Sequence, residues 1–285
     1  TPPEGDTCGN AVNVTFPTSR ADPVSVTLED QEMDGMKNDY KDSEGDNQCT
    51  SADAGLDRVY KVTLPPNRWM TASVTSTLSG FDPSIYLILG PNPGSCDASP
   101  RVCAASNDSG GSLGTDTVHW SNRAAADQVV FVVIDANNET VMDGTFDLSV
   151  ETGTPPSGDT CANATPLTAG TYTNQTLEHF SSDYNGEVSI GGCSSADAGI
   201  DRVYSVSVPK DQRVTVMVSP TDSSYEPTLY LIAGPDPANC DVSPDRVCLA
   251  SDYDWWGSPI SVQWANSTGS TVPVFVVVDN GSETD

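Results

Sequence analysis

Carboxylates are the residues with most chemical potential in this chain. Its 285 residues include 40 Asp and Glu, 30 of them Asp, against 12 Lys and Arg. Asp favours turns and oxygen-ligand metal sites over helix interiors. If successive strands run antiparallel, Asp57, Asp82, Asp108, Asp116 and Asp135 gather at one end of the first half of the chain. Asp201, Glu226, Asp252 and Asp279 gather at the matching end of the second half, where Ile260 replaces Asp116. Crowded carboxylates raise one another's pKa unless a cation intervenes, and a hard cation such as calcium takes six to eight oxygens. Two readings stand: a calcium site in at least one half, or Asp used as turn chemistry at strand ends. Asp57 and Asp201 could instead pair with Arg58, Arg202 or backbone NH groups.

Catalytic constellations are scarce. The two histidines, His119 and His179, have no counterparts in the other half, since Gln263 stands where His119 does. Metalloprotease, nucleophile-elbow and phosphate-loop motifs are absent, so no catalytic residue is expected and the chain reads as no enzyme. A carboxylate-pair glycosidase needs only two acids, and 40 are on offer, so that possibility carries no information. One loop, SDYDWWGSP, places Tyr253, Trp255 and Trp256 where the other half has Gly and Ser. Such aromatics either stack on a sugar or bury into a protein partner, or they pack against the linker or the neighbouring domain. A net charge of −28 rules out a groove for nucleic-acid phosphates and attraction to an anionic membrane. No run approaches the roughly 18 apolar residues of a membrane span. The chain opens on TPPEGDTC without a basic and apolar leader, which leads to the expectation of a soluble chain whose secretion signal is removed or left out.

Eight cysteines fall four per half: Cys8, Cys49, Cys96 and Cys103, then Cys161, Cys193, Cys240 and Cys248. Zinc needs CxxC-type spacing with supporting His, which is absent. Structural disulfides are therefore expected, and with them an extracellular or cell-surface location. Local pairing of Cys96 with Cys103 and Cys240 with Cys248 leaves Cys8 with Cys49 and Cys161 with Cys193. Asn-x-Ser/Thr sequons, which mark possible glycosylation, occur at Asn13, Asn107, Asn138, Asn163, Asn174, Asn266 and Asn280.

These residues sit on a repeated frame. CTSADAGLDRVYKVTL from Cys49 matches CSSADAGIDRVYSVSV from Cys193 at 11 of 16 positions, and the same 144-residue offset aligns Trp120 with Trp264. TPPEGDTC and TPPSGDTC lie 153 apart, so the first half holds nine extra residues, placed in the polar stretch 30–46. Two domains follow, 1–153 and 154–285, joined near 152–156. Alternation and β-branched residues predict strands at 58–64, 69–77, 84–89, 102–106, 117–121, 128–135 and 145–151, echoed at 202–208, 213–219, 228–232, 247–251, 260–265 and 272–279. A turn is expected around 8–12. The fold class is all-β: two tandem, disulfide-braced, jelly-roll-like β-sandwiches. GTFDLSVETG closes the first half, whereas the second stops at DNGSETD. Repeat two therefore lacks its final strand, either because the chain was cut short or because a neighbour supplies one.

The GDTC…NA opening and the AG(L/I)DRVY strand entry resemble a repeat of secreted and surface proteins of myxobacteria and related bacteria, and the chain is similar to the bacterial pre-peptidase C-terminal family. The resemblance covers nearly all of both repeats. It implies a jelly-roll-like sandwich that accompanies enzymes or forms surface arrays, with calcium or an extracellular polymer bound by some members and no catalysis by the module. The expectation is an extracellular structural or adhesive module of a surface protein or fibre, stabilised by calcium, whose partners are copies of itself or other surface proteins. The alternative is a polysaccharide-binding appendage of a secreted hydrolase.

Overall fold

The computed structural model describes residues 2–17, 22–40, 49, 55–90, 94–97, 101–136, 144–181, 184, 199–222, 225–234, 240 and 247–280. It divides into two units, Thr1–Pro155 and Pro156–Asp285. The first extends two residues past Gly153 because Thr154 is held there: its amide and hydroxyl both donate to Asp22, and its carbonyl accepts from the Trp69 indole.

The described residues of domain one form nine strands: β1 (Val12–Asn13), β2 (Val24–Glu32), β3 (Asp57–Leu64), β4 (Arg68–Ser76), β5 (Pro83–Gly90), β6 (Val102–Asn107), β7 (Thr115–Asn122), β8 (Gln128–Ala136) and β9 (Thr145–Gly153). They form sheets of order β1-β3-β8-β5-β6 and β2-β9-β4-β7. Leaving aside the parallel β1, strands β2 to β9 wrap as two Greek keys, the jelly-roll arrangement. In domain two, β10 (Thr165–Pro166), β11 (Asp201–Val208), β13 (Pro227–Ala233), β14 (Cys248–Tyr253) and β16 (Val272–Asn280) form a sheet of order β10-β11-β16-β13-β14. Opposite it, β12 (Arg213–Val218) pairs with β15 (Ile260–Ala265).

Tyr60, Val62, Met70, Ala72, Ile85, Leu87, Val132, Phe146 and Leu148 fill the space between the sheets of domain one. The middle strands of the five-stranded sheet are apolar on both faces, as PSIYLILG and QVVFVVIDA show. Their outer face carries Val59, Tyr86, Ile88, Phe131 and Val133, packed beneath Cys8, Tyr40 and Cys96. A sheet covered on both sides reads as a continuous apolar run. That cap layer is what the cysteines brace.

The cysteine pairing differs from the local scheme. Cys8 bonds Cys96, Cys49 bonds Cys103, and Cys161 bonds Cys240. A helical turn at Gly94–Asp97 meets the 3₁₀ turn at Cys8–Asn10, where the Cys8 amide donates to Asp97 Oδ1 at 3.0 Å, so Cys96 faces Cys8 rather than Cys103. Cys103 lies on β6 opposite Ile88. Cys193 lies outside the described residues, and Cys248 is disulfide-bonded.

The nine extra residues also lie elsewhere than expected. The Val14 and Leu167 amides take equivalent bonds, to the carbonyls of Lys61 and Ser205, and these two residues are 153 apart. Gln31 and Gln175, both accepting from the equivalent tyrosines Tyr60 and Tyr204, are 144 apart. The insertion therefore falls between Val14 and Gln31, upstream of 30–46.

Candidate functional site

The sheet alternation decides which acids meet. Val59 faces outward and Tyr60 inward, so Asp57 projects to the outer face of its sheet. By the same count Asp135, Ser84 and Tyr86 share that face, and the register sets Asp57 opposite Asp135 and Ser84 opposite Asp135. Both carboxylates are fully buried. Asp57 Oδ2 accepts the amides of Asp39 at 2.6 Å and Tyr40 at 2.9 Å. The Tyr86 hydroxyl stands 3.4 Å from Asp57 Oδ1 and 3.3 Å from the Tyr40 carbonyl. Burial pushes the Asp57 carboxyl up to about 7, against the pull of those two amides.

Domain two repeats the arrangement. Asp201 lies opposite Asp279, Thr228 takes the place of Ser84, and Asp201 Oδ2 accepts the Tyr184 amide at 2.7 Å. The Tyr230 hydroxyl lies 2.9 Å from the Tyr184 carbonyl, 3.2 Å from Asp201 Oδ1 and 3.3 Å from Asp279 Oδ2. One hydroxyl proton cannot serve three acceptors at once. Two buried carboxylates and a backbone carbonyl thus converge on one hydroxyl oxygen, an oxygen-rich arrangement of the kind hard cations take. The tyrosines, Ser84 and Thr228 escaped the sequence reading, although each obeys the 144-residue offset.

The remaining acids do not join this pair. Asp116 is buried on β7, in the other sheet, where Oδ1 accepts the amides of Ser109 and Gly110 at 2.7 Å each. Burial raises its carboxyl, the nearby Asp82 adds to the rise, and those two amides oppose it. Asp108 is exposed, and Glu226 and Asp252 are partly exposed. Asp252 Oδ2 accepts the Ser261 amide, a bond from β14 to β15. Among the described residues, the three-residue group whose ligand atoms lie within 4.8 Å of one another is Cys8, Cys96 and Asp97, and its sulfurs form the disulfide. The nine acids therefore resolve into a buried pair in each domain, a rim pair of Asp82 and Asp116, and separate surface groups.

Tyr253 and Trp255 come together, and Trp256 follows them in the same exposed loop. Their exposures are 43, 47 and 84%, and Tyr253 and Trp255 meet edge to face at 5.5 Å. Asp254 Oδ1 accepts the amides of Trp256 at 2.8 Å and Ser258 at 2.9 Å, which holds the loop and lowers the Asp254 carboxyl. His119 Nδ1 lies 2.7 Å from the Thr71 hydroxyl across β7 and β4. His179 stands 3.6 Å from Glu178.

Two sequons fail on burial. Asn266 is 1% exposed and its Nδ2 donates to the carbonyls of Val208 and Ser270, while Asn280 is 5% exposed. Neither can carry a glycan in this fold. Asn13, Asn163 and Asn174 are exposed, and Asn107 is partly so. Asn163 caps the Thr160 amide and Asn107 donates to the Thr117 carbonyl. Asn138 lies outside the described residues.

No protein-family model and no curated protein sequence matches the chain. Among solved structures, CorA, a surface-associated copper-binding protein of Methylomicrobium album BG8, aligns with 51% of this chain and 98% of its own at 13% identity and TM-score 0.29. A protein of Parabacteroides distasonis described as secreted aligns over 94% and 85%, at 6% identity and TM-score 0.26. The tandem CBM22-1–CBM22-2 domain of Paenibacillus barcinonensis Xyn10C aligns over 94% and 92%, at 11% identity and TM-score 0.24. The jelly-roll assignment rests on the chain's own strand order. Its disulfides belong to an oxidising, extracytoplasmic compartment, and among the described residues no helix is long and apolar enough to cross a membrane.

Proposed function

We propose that the chain is a pair of non-catalytic modules of an extracellular surface protein or fibre, related to the pre-peptidase C-terminal family and serving a structural or adhesive role. The supporting observation is what the duplication preserves. The positions common to both domains build framework: the disulfide-braced cap, the Gly–Asp–Arg–Tyr strand entry and the buried Asp pair. Neither histidine is repeated. In this reading calcium occupies the buried pairs Asp57–Asp135 and Asp201–Asp279, with the carbonyls of Tyr40 and Tyr184 and the hydroxyls of Ser84 and Thr228 nearby. A cation there would relieve the repulsion between the paired carboxylates. Immunogold labelling of the producing cells should decorate the surface or extracellular filaments, and label confined to the cytoplasm would overturn the proposal.

The exposed Tyr253, Trp255 and Trp256 favour a second reading, a polysaccharide-binding appendage. Flat aromatic faces held by a fixed loop suit sugar rings. Retention on insoluble polysaccharide that W255A and W256A abolish, with the melting curve unchanged, would establish it. Equal retention of wild type and variants would discard it.

A further inference from the structure

The rim acids of domain one stand apart from the buried pair. Asp57 and Asp135 project from the outer face of the five-stranded sheet, whereas Asp116 lies on β7 of the opposite sheet. It sits two residues before the buried Val118, so its side chain points into the sandwich, and it is 0% exposed. One of its carboxylate oxygens is satisfied: Oδ1 accepts the amides of Ser109 and Gly110. The other, Oδ2, is shut off from solvent and, among the described residues, accepts no hydrogen bond. A buried carboxylate oxygen without a donor is costly, because it has given up its water for nothing.

Beside it stands a second acid. Asp82, just before β5, lies near enough to push the Asp116 carboxyl up, and its Oδ1 is also buried. The two segments that carry these acids are tied together. The Gly80 amide donates to the Ser112 hydroxyl at 2.8 Å, and the Ser76 amide to the Gly114 carbonyl at 3.2 Å. Domain two shows that the frame does not need the buried acid. Ile260 stands where Asp116 does, is 5% exposed and joins the apolar core, with Glu226 in the place of Asp82. A position that accepts a hydrocarbon in one repeat holds an unsatisfied carboxylate oxygen in the other.

We infer that Asp116 and Asp82 hold a calcium ion at the rim of domain one, in a site that domain two does not have. Asp116 Oδ2 and the Asp82 carboxylate are its anionic ligands, and loop carbonyls and water complete the six to eight oxygens that calcium takes. Magnesium fits less well, since it demands near-ideal octahedral geometry and these oxygens come from a strand and two irregular loops. Two carboxylates place the site among the weak extracellular ones, with Kd of roughly 0.1–1 mM. The inference does not rest on calcium at the buried pairs.

Calcium titration of the full chain, followed by amide NMR, reads the two kinds of site separately. Ser109 and Gly110 report on the rim, and Asp39 and Tyr40 on the Asp57 pair. In the wild type the Ser109 and Gly110 amides should shift and saturate by about 10 mM calcium, well above that Kd range, and should not follow the same concentrations of magnesium. D116N keeps an oxygen for the two loop amides while removing the charge, and D82N removes the other charge at a partly exposed position. Each should weaken the calcium response of Ser109 and Gly110 at least tenfold, whereas E226Q in domain two should leave it unchanged. Rim amides that stay put, that follow magnesium equally, or that respond in D82N as in the wild type would overturn the inference. So would a loss confined to D116N, which would mean a disturbed loop rather than a missing ligand. Shifts at Asp39 and Tyr40 alone would uphold calcium at the buried pair and overturn the rim site.

Discussion

The residues that made the repeat visible are accounted for almost one by one. A Cβ at Gly55 would run into the Ala136 carbonyl, and one at Gly199 into the Asn280 carbonyl, so only Gly allows the strand entry to approach its neighbour. Gly5 and Gly158 have φ of +91° and +96° in the turns that open each domain. Arg202 stacks over Phe180 and Tyr204, and Asp57 and Asp201 bind the cap through backbone amides. A motif so specific was legible because each residue type answers a backbone demand. The Tyr86 and Tyr230 contacts were not, because a tyrosine in an apolar strand carries no mark of what its hydroxyl meets. Asp57 allows a test. Its ordinary pKa of 3.8 rises to about 7 on folding, so between those values the folded state holds a proton that the unfolded state has released. Stability must then fall as pH rises through that window. Each pKa unit corresponds to about 1.4 kcal/mol, and the loss should reach a few kcal/mol. In chelator, domain one should melt at lower temperature at pH 7.5 than at pH 5, and saturating calcium should flatten the slope. A chelated protein that gains stability across this range would refute the account of Asp57.

At the scale of elements, strands with regular alternation were read to within a residue or two, and the continuous runs of β5 and β8 were found although their double-sided burial was not. Strand β2 was missed: VSVTLEDQE is acidic, lies at a sheet edge and carries a register shift between Leu28 and Gln31. Disulfide partners were misread because closeness along the chain says little once a helical turn swings Cys96 onto the opening turn. Sequons misled at Asn266 for a physical reason. Asn122, which is in no sequon, makes the same bonds, its Nδ2 donating to the Leu64 carbonyl at 2.8 Å and the Ala126 carbonyl at 2.9 Å. Asn266 reaches the carbonyls of Val208 and Ser270 at 2.8 and 2.9 Å. Both side chains staple the end of one strand, β3 or β11, to the turn that leads into its sheet neighbour, β8 or β16. Replacing either with Ala leaves a buried strand-end carbonyl and a turn carbonyl without that donor, at about 1–3 kcal/mol. Urea midpoints of N122A and N266A should fall accordingly, each in its own domain, and a midpoint that stays put would show that water replaces the amide.

At the scale of the whole molecule, the two domains share a plan and differ in the number of described strands. Domain one closes its second sheet with four strands over a continuous core, while the described residues of domain two place two strands there. Val214, Val216 and Val218 are half-exposed there, where full burial of such a side chain contributes roughly 1.5–3 kcal/mol. Half-burial of three therefore forfeits a few kcal/mol. For domains of this size a kilocalorie moves the midpoint by about 2–8 °C. Calorimetry of the full chain should show two transitions separated by on the order of 10 °C, the lower one belonging to domain two. Hydrogen exchange can assign them, since amides of β11, β13 and β16 should open before those of β3, β5 and β8. Calcium should raise both transitions, because each domain carries its own Asp pair and ligand binding to the folded state alone adds stability. A single transition, or a domain two that melts last, would mean that β12 is covered by something outside the described residues.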